Sequence, residues 1–178
     1  MVENYDAIQP AGSREPPASI SFAVWAVTST FALVLVGLII GAPLLQSSHP
    51  AFSASIYKTF SFVCHQIPER SFHLAGLQFA VCSRCTGLYS GFAIAGLIYP
   101  LVRSLKRART PRRLWLFLAP LPLLIDFSLT YFGIWQNTHA SRFLTGALLG
   151  SVALFYIMPG LIELSLAVTR RFRSLPLP

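Results

Sequence analysis

Residues 20–45 read ISFAVWAVTSTFALVLVGLIIGAPLL, twenty-six positions without a charged side chain. A helix needs about 20 predominantly apolar residues to cross the hydrocarbon layer of a membrane, so the solvent of this stretch is lipid. Outward from it, apolar runs recur at 87–102, 114–133 (interrupted by Asp126) and 143–162. Four runs close to spanning length predict an all-α, polytopic membrane protein, a bundle of four transmembrane helices filling residues 20–168 as one domain. Composition agrees. Of the 178 residues 54% are hydrophobic and 11% charged, with a mean hydropathy of +0.60, whereas soluble domains carry about 25% charged residues.

The net charge is +8, but its distribution argues against a nucleic-acid surface. Six of the fourteen basic residues (Arg103, Lys106, Arg107, Arg109, Arg112 and Arg113) crowd the connection between the second and third runs, and Arg170, Arg171 and Arg173 follow the fourth. Lys and Arg concentrated in short loops mark the cytoplasmic side. Both termini and the 103–113 loop are therefore expected in the cytoplasm, residues 46–80 and 136–140 outside, and anionic membrane lipids as partners. Residues 1–19, polar and containing Pro10, Pro16 and Pro17, read as a disordered cytoplasmic tail rather than a cleaved signal peptide. Residues 169–178 read as a basic cytoplasmic tail.

Gly37 and Gly41, Gly87 and Gly91, and Gly146 and Gly150 each lie four apart, a spacing that lets helices approach closely in lipid. Pro120 and Pro122 predict a kink in the third span. In residues 51–63, Phe52, Ile56, Phe60 and Val63 recur at helical spacing, predicting a short amphipathic helix on the outer surface. Residues 71–81 are also largely apolar, which leaves open a second span that begins near Leu74.

All three cysteines sit at one end of the second span: Cys64-His65, then Cys82-Ser83-Arg84-Cys85-Thr86-Gly87. Cys85 is seventeen residues before Val102, about 25 Å at 1.5 Å per residue, which puts the cysteines at the outer face. Asp126 by the same reckoning falls in the outer half of the third span, and Arg142 opens the fourth. A Cys-x-x-Cys-x-Gly turn aims backbone amides at thiolate sulfur, as in half of a zinc knuckle. Cys64, His65, Cys82 and Cys85 are the candidate metal ligands, with His73 a weaker fourth and three thiolates with an open position an alternative. Zinc suits mixed sulfur and nitrogen ligation, although copper(I) also favours thiolate. Asp126, an ionisable residue within a span, is by default functional: a general acid/base or a metal-site partner, or structurally an ion pair with Arg142 or Arg84. Arg142 is the candidate anion stabiliser, and Arg70 and Arg84 flank the cysteines as anion contacts, with a lipid-linked or anionic small molecule as the implied substrate.

Two other classes stay open. A Cys-x-x-Cys at the outer start of a span resembles the disulfide-generating quinone reductases and their vitamin K epoxide reductase relatives, but the second cysteine pair of that pattern is absent from this chain. A quinone-linked thiol-disulfide oxidoreductase is thus one alternative, and a small transporter using Asp126, or a membrane complex subunit without activity of its own, is another. No phosphate-cradling glycine loop or serine-hydrolase elbow occurs in the sequence. His49 and His139 read as solvated loop histidines.

The motifs Cys64-His65-Gln66-x-Pro68-x-Arg70-Ser71-Phe72 and Val81-Cys82-x-Arg84-Cys85-x-Gly87-x-Tyr89-x-Gly91, with Asp126, Asn137, Arg142 and Thr145-Gly146, resemble a family of small prokaryotic membrane proteins, domain of unknown function 2085. The resemblance covers about residues 60–150 and implies a prokaryotic inner-membrane location. It adds Asn137 to the pattern positions and implies no reaction.

Overall fold

The computed structural model describes residues 17–105 and 110–173. The parts of the two tails at 1–16 and 174–178, and residues 106–109 of the basic loop, lie outside the described residues.

Four helical segments are long and apolar enough to span: α1 (Ala18–Gly41), α3 (Ser83–Val102), the pair α4 (Leu114–Leu118) and α5 (Leu121–Tyr131), and α6 (His139–Arg173). Between α1 and α3 the chain makes a 3₁₀ turn (Pro43–Leu45), helix α2 (Pro50–Ser61), a second 3₁₀ turn (Pro68–Arg70) and a small hairpin of β1 (His73–Leu74) and β2 (Leu77–Gln78). The all-α membrane bundle expected from the sequence is the observed fold. Two boundaries differ from the sequence reading, and a third that it left open is decided. Helix α1 starts at Ala18, inside the stretch assigned to the tail, and α6 continues through Arg170 and Arg171 to Arg173. The second span starts at Ser83 rather than near Leu74, because residues 73–78 pair antiparallel, His73 with Gln78 and Leu74 with Leu77. Ala75 and Gly76 both have positive φ (51° and 79°), as the two-residue turn that matches strand twist requires. The third span is divided at Ala119-Pro120, where proline removes a backbone donor.

The centre of the bundle is the α3–α6 contact, made by glycine. A Cβ on Gly87 would run into the Phe143 backbone and one on Gly91 into Ala147, while Gly146 and Gly150 sit against the backbones of Arg84 and Leu88. Helices that approach to backbone contact gain dispersion where the hydrophobic effect contributes little. Ser151 Oγ adds a hydrogen bond to the Gly91 carbonyl at 3.0 Å. The third glycine pair behaves otherwise: Gly37 and Gly41 have open space where a Cβ would lie. Helix α1 is fastened instead through Trp25 Nε1, which donates to the Gly96 carbonyl at 2.7 Å.

Two apolar clusters fill the bundle. Ala95, Tyr99, Leu154, Met158 and Ile162 are buried at the end where α3 finishes. At the other end Ile39, Ala42, Ile56, Phe60, Ala80 and Val81 enclose Cys64. Helix α2 forms as expected, but its buried face is Ser53, Ile56 and Phe60. Phe52 and Val63 remain 54% and 64% exposed, because Ser53 Oγ docks the helix by donating to the Ala42 carbonyl at 2.8 Å.

Candidate metal centre and its cavity

Cys64 follows α2 by three residues, and Cys82 and Cys85 begin α3; Ala80 and Val81, both fully buried against the end of α1, hold that beginning in place through an Ala80 N–H bond to the Ile39 carbonyl. The three sulfurs lie within 4.8 Å of one another. The Cys82 N–H donates to Cys64 Sγ at 3.2 Å. Hydrogen bonding from the Cys64 thiol first, then the Cys85 thiol, and then the Cys85 and Arg84 backbone amides holds the Cys82 thiol well below its ordinary range, against the opposing effect of burial. This favours thiolate at Cys82 alone, with the neighbouring thiols as its donors.

Segments distant in sequence meet here because of a clamp that the sequence reading did not assign. Gln66, in the left-handed region at φ 51°, sends its side-chain Nε2 to the Tyr57 carbonyl at 2.8 Å and the Ala80 carbonyl at 2.7 Å. Its own carbonyl accepts from Gln78 Nε2 at 2.7 Å, and Gln78 also reaches Ser71 Oγ. Tyr57 closes the network by donating its hydroxyl to the Gln78 carbonyl. Two uncharged amides in an apolar loop were the available signal, since buried polar groups must find partners. The sequence could not say which.

A second polar group joins α3, α5 and α6. Arg84 Nη2 meets Asp126 Oδ2 at 3.0 Å. The same Oδ2 accepts from Asn137 Nδ2 at 3.0 Å, and Asn137 Oδ1 accepts from Arg142 Nε at 2.7 Å. Asp126 thus pairs with Arg84, while Asn137 stands between it and Arg142. Thr130 supports the chain, taking the Asn137 N–H on its Oγ1.

Between these two groups lies a cavity of about 320 Å³. Its walls carry all three cysteines and the guanidinium residues Arg70, Arg84 and Arg142, with His65, Asn137 and the rings of Phe127 and Tyr131. His65 lines the cavity, but the close sulfur cluster does not include it. His73 lies on exposed β1 and does not line the cavity. His139 is exposed, as expected, and also shares a 2.8 Å hydrogen bond with buried Ser83 Oγ and packs beside Phe72, fastening the starts of α3 and α6. Three thiolates could hold a borderline or soft metal ion with one position left towards the cavity.

The sequence model of the family described as predicted membrane protein, domain of unknown function 2085, matches residues 64–156, more than half of the chain. The chain belongs to this family. In domain of unknown function 2085 terms, the matched stretch opens on Cys64 and takes in the other two cysteines, Asp126, Asn137 and Arg142; α1 and α2 precede it. An uncharacterised protein of Methanocaldococcus jannaschii is 35% identical over 112 residues, 63% of this chain and 72% of that protein. One of Methanothermobacter thermautotrophicus is 37% identical over 87 residues, 49% of this chain and 77% of that one. No solved structure matches.

Proposed function

We propose that this protein is a multi-pass inner-membrane protein whose outward face holds a metal ion, zinc in the first instance, on Cys64, Cys82 and Cys85, beside a cavity that receives an anionic or lipid-linked molecule. The observation that carries the reading is the mutual approach of three sulfurs to within 4.8 Å from two separate segments. Cys64, Cys82 and Cys85 would hold the zinc ion, which would supply Lewis acidity beside the cavity. His65, which lines the same cavity, is the candidate to complete a closed, structural site instead. Arg142 stabilises negative charge on the bound molecule. Asp126 accepts hydrogen bonds from both Arg84 and Asn137, so its role is to aim those donors and, through Asn137, Arg142. The basic residues near the other ends of α3 and α6 support an orientation with both termini in the cytoplasm.

Metal analysis of the purified protein, beside a thiol count with and without reductant, tests this. About one zinc or copper per chain, lost in Cys82→Ser and Cys85→Ser, is the expected result. The absence of metal together with two thiols that react only after reduction would overturn it. That outcome would favour the second reading, for which the sulfur proximity also argues: two thiols oxidised to a disulfide while a quinone takes up the two electrons and two protons.

A further inference from the structure

The cavity is lined by both guanidinium and apolar side chains, which suit different parts of one ligand. Three guanidiniums line it, and one of them, Arg84, is paired with Asp126. Even with three thiolates holding a divalent cation, the balance stays positive. Donors remain to be used. Arg84 Nε is buried without a hydrogen-bond partner, Arg142 commits its Nε to Asn137, and Arg70 makes no side-chain hydrogen bond to another described residue. Planar forks of this kind match the oxygens of a phosphate group better than a lone ammonium does.

The lining also includes Val63, Phe127 and Tyr131, which are 64%, 50% and 75% exposed, with the Phe127 ring centroid 6.0 Å from the Arg84 guanidinium. They stand at the level where α5 ends and α3 and α6 begin, and so face the membrane boundary. Helix α5 packs on α6, and its polar link to α3 is the Arg84–Asp126 pair. The cavity therefore has an apolar flank between α5 and the segment that follows α2. Its volume of about 320 Å³ is at the low end of the roughly 300–1,000 Å³ of small-molecule sites, enough for a phosphorylated head group and too small for a lipid chain.

We infer that the cavity binds the phosphate-bearing head of a membrane amphiphile on Arg70, Arg84 and Arg142, with the hydrocarbon chain leaving past Val63, Phe127 and Tyr131 into the bilayer. What happens to the head group rests on the metal centre proposed above; the binding rests on the arginines.

The test is calorimetric titration of the full chain in neutral detergent with dioctanoyl phosphatidic acid, dioctanoylglycerol and inorganic phosphate, the metal content of each sample being measured alongside. Phosphatidic acid is expected to bind at least about tenfold more tightly than either other probe, and Arg70→Gln and Arg142→Gln each to weaken it about tenfold. Arg70 is exposed, so Arg70→Gln keeps its fold and its melting temperature and separates binding from stability. Equal binding of dioctanoylglycerol, or no effect of either substitution, would overturn the inference. Inorganic phosphate binding as tightly as phosphatidic acid would assign the site to a soluble phosphate compound and overturn the lipid part. Cys82→Ser is expected to lose metal and still bind phosphatidic acid. A metal-loaded protein that ignores phosphatidic acid would defeat this inference alone.

Discussion

Arg84 of α3 and Asp126 of α5 form a 3.0 Å ion pair across the bundle, with their side chains 26% and 10% exposed. Replacing one partner leaves a poorly solvated charge. Asp126→Asn is expected to destabilise the protein by about 2 kcal/mol, below the ~3–5 kcal/mol of a fully buried pair because Arg84 keeps some contact with solvent. Thermal melts in detergent of Asp126→Asn, Arg84→Gln and the double variant check this: the double variant should cost less than the two single changes together.

The glycine pairs divide sharply. Gly91→Leu is expected to separate α3 from α6 and abolish the folded monomer, since a Cβ already meets the Ala147 backbone and overpacking typically costs about 1–3 kcal/mol even where side chains can yield. Gly37→Ala, with open space around it, should change the melting temperature little. Size-exclusion profiles and melts of the two variants read the contrast.

Gln66 tells whether the clamp serves the cysteines. Gln66→Ala should keep the helical circular dichroism signal while weakening metal binding about tenfold, the lower end of what supporting groups around a metal site contribute. A competition titration against a chromophoric chelator measures it. Unchanged affinity would show that Cys64 is held without the clamp.

Tyr57 supplies the pH dependence. Burial raises its pKa above the usual phenolic value, and its hydroxyl donates to the Gln78 carbonyl. The raised folded-state value means that the phenol's contribution is fully present below about pH 10, its unfolded pKa, and is lost as the pH rises through the folded value. Tyr57→Phe should therefore cost about 1 kcal/mol at neutral pH and lose less stability than the wild type under strong alkali. Melting temperatures across an alkaline series test both.

Much of the fold was legible beforehand, for reasons tied to particular residues. The four spans follow from apolar runs that admit no other solvent, and α2 from the helical recurrence of Ile56 and Phe60. Its exact buried face was not legible, because Ser53 turns inward only when the Ala42 carbonyl is there to receive it. The hairpin at residues 73–78 was also missed: its residues are apolar enough for a helix, and pairing with a neighbouring strand, not local pattern, makes them extended. In the candidate site, the cysteines stood out by their chemistry and Asp126 by the cost of a charge in lipid. The role of Asn137 did not, since an amide in a loop can bond to almost anything.

Hydropathy and charge are additive along the chain, so the sequence by itself determined that this is a membrane bundle, how many times it spans and which end of the second span carries its thiols. Contacts between distant segments depend on how helices and loops close on one another. Only the tertiary structure decided that Cys64 meets Cys82 and Cys85, that Asp126 pairs with Arg84 with Asn137 interposed before Arg142, and that two glycine pairs pack while the third faces open space. Spacing within one helix prepares such meetings, but the partner that completes each of them is set by packing.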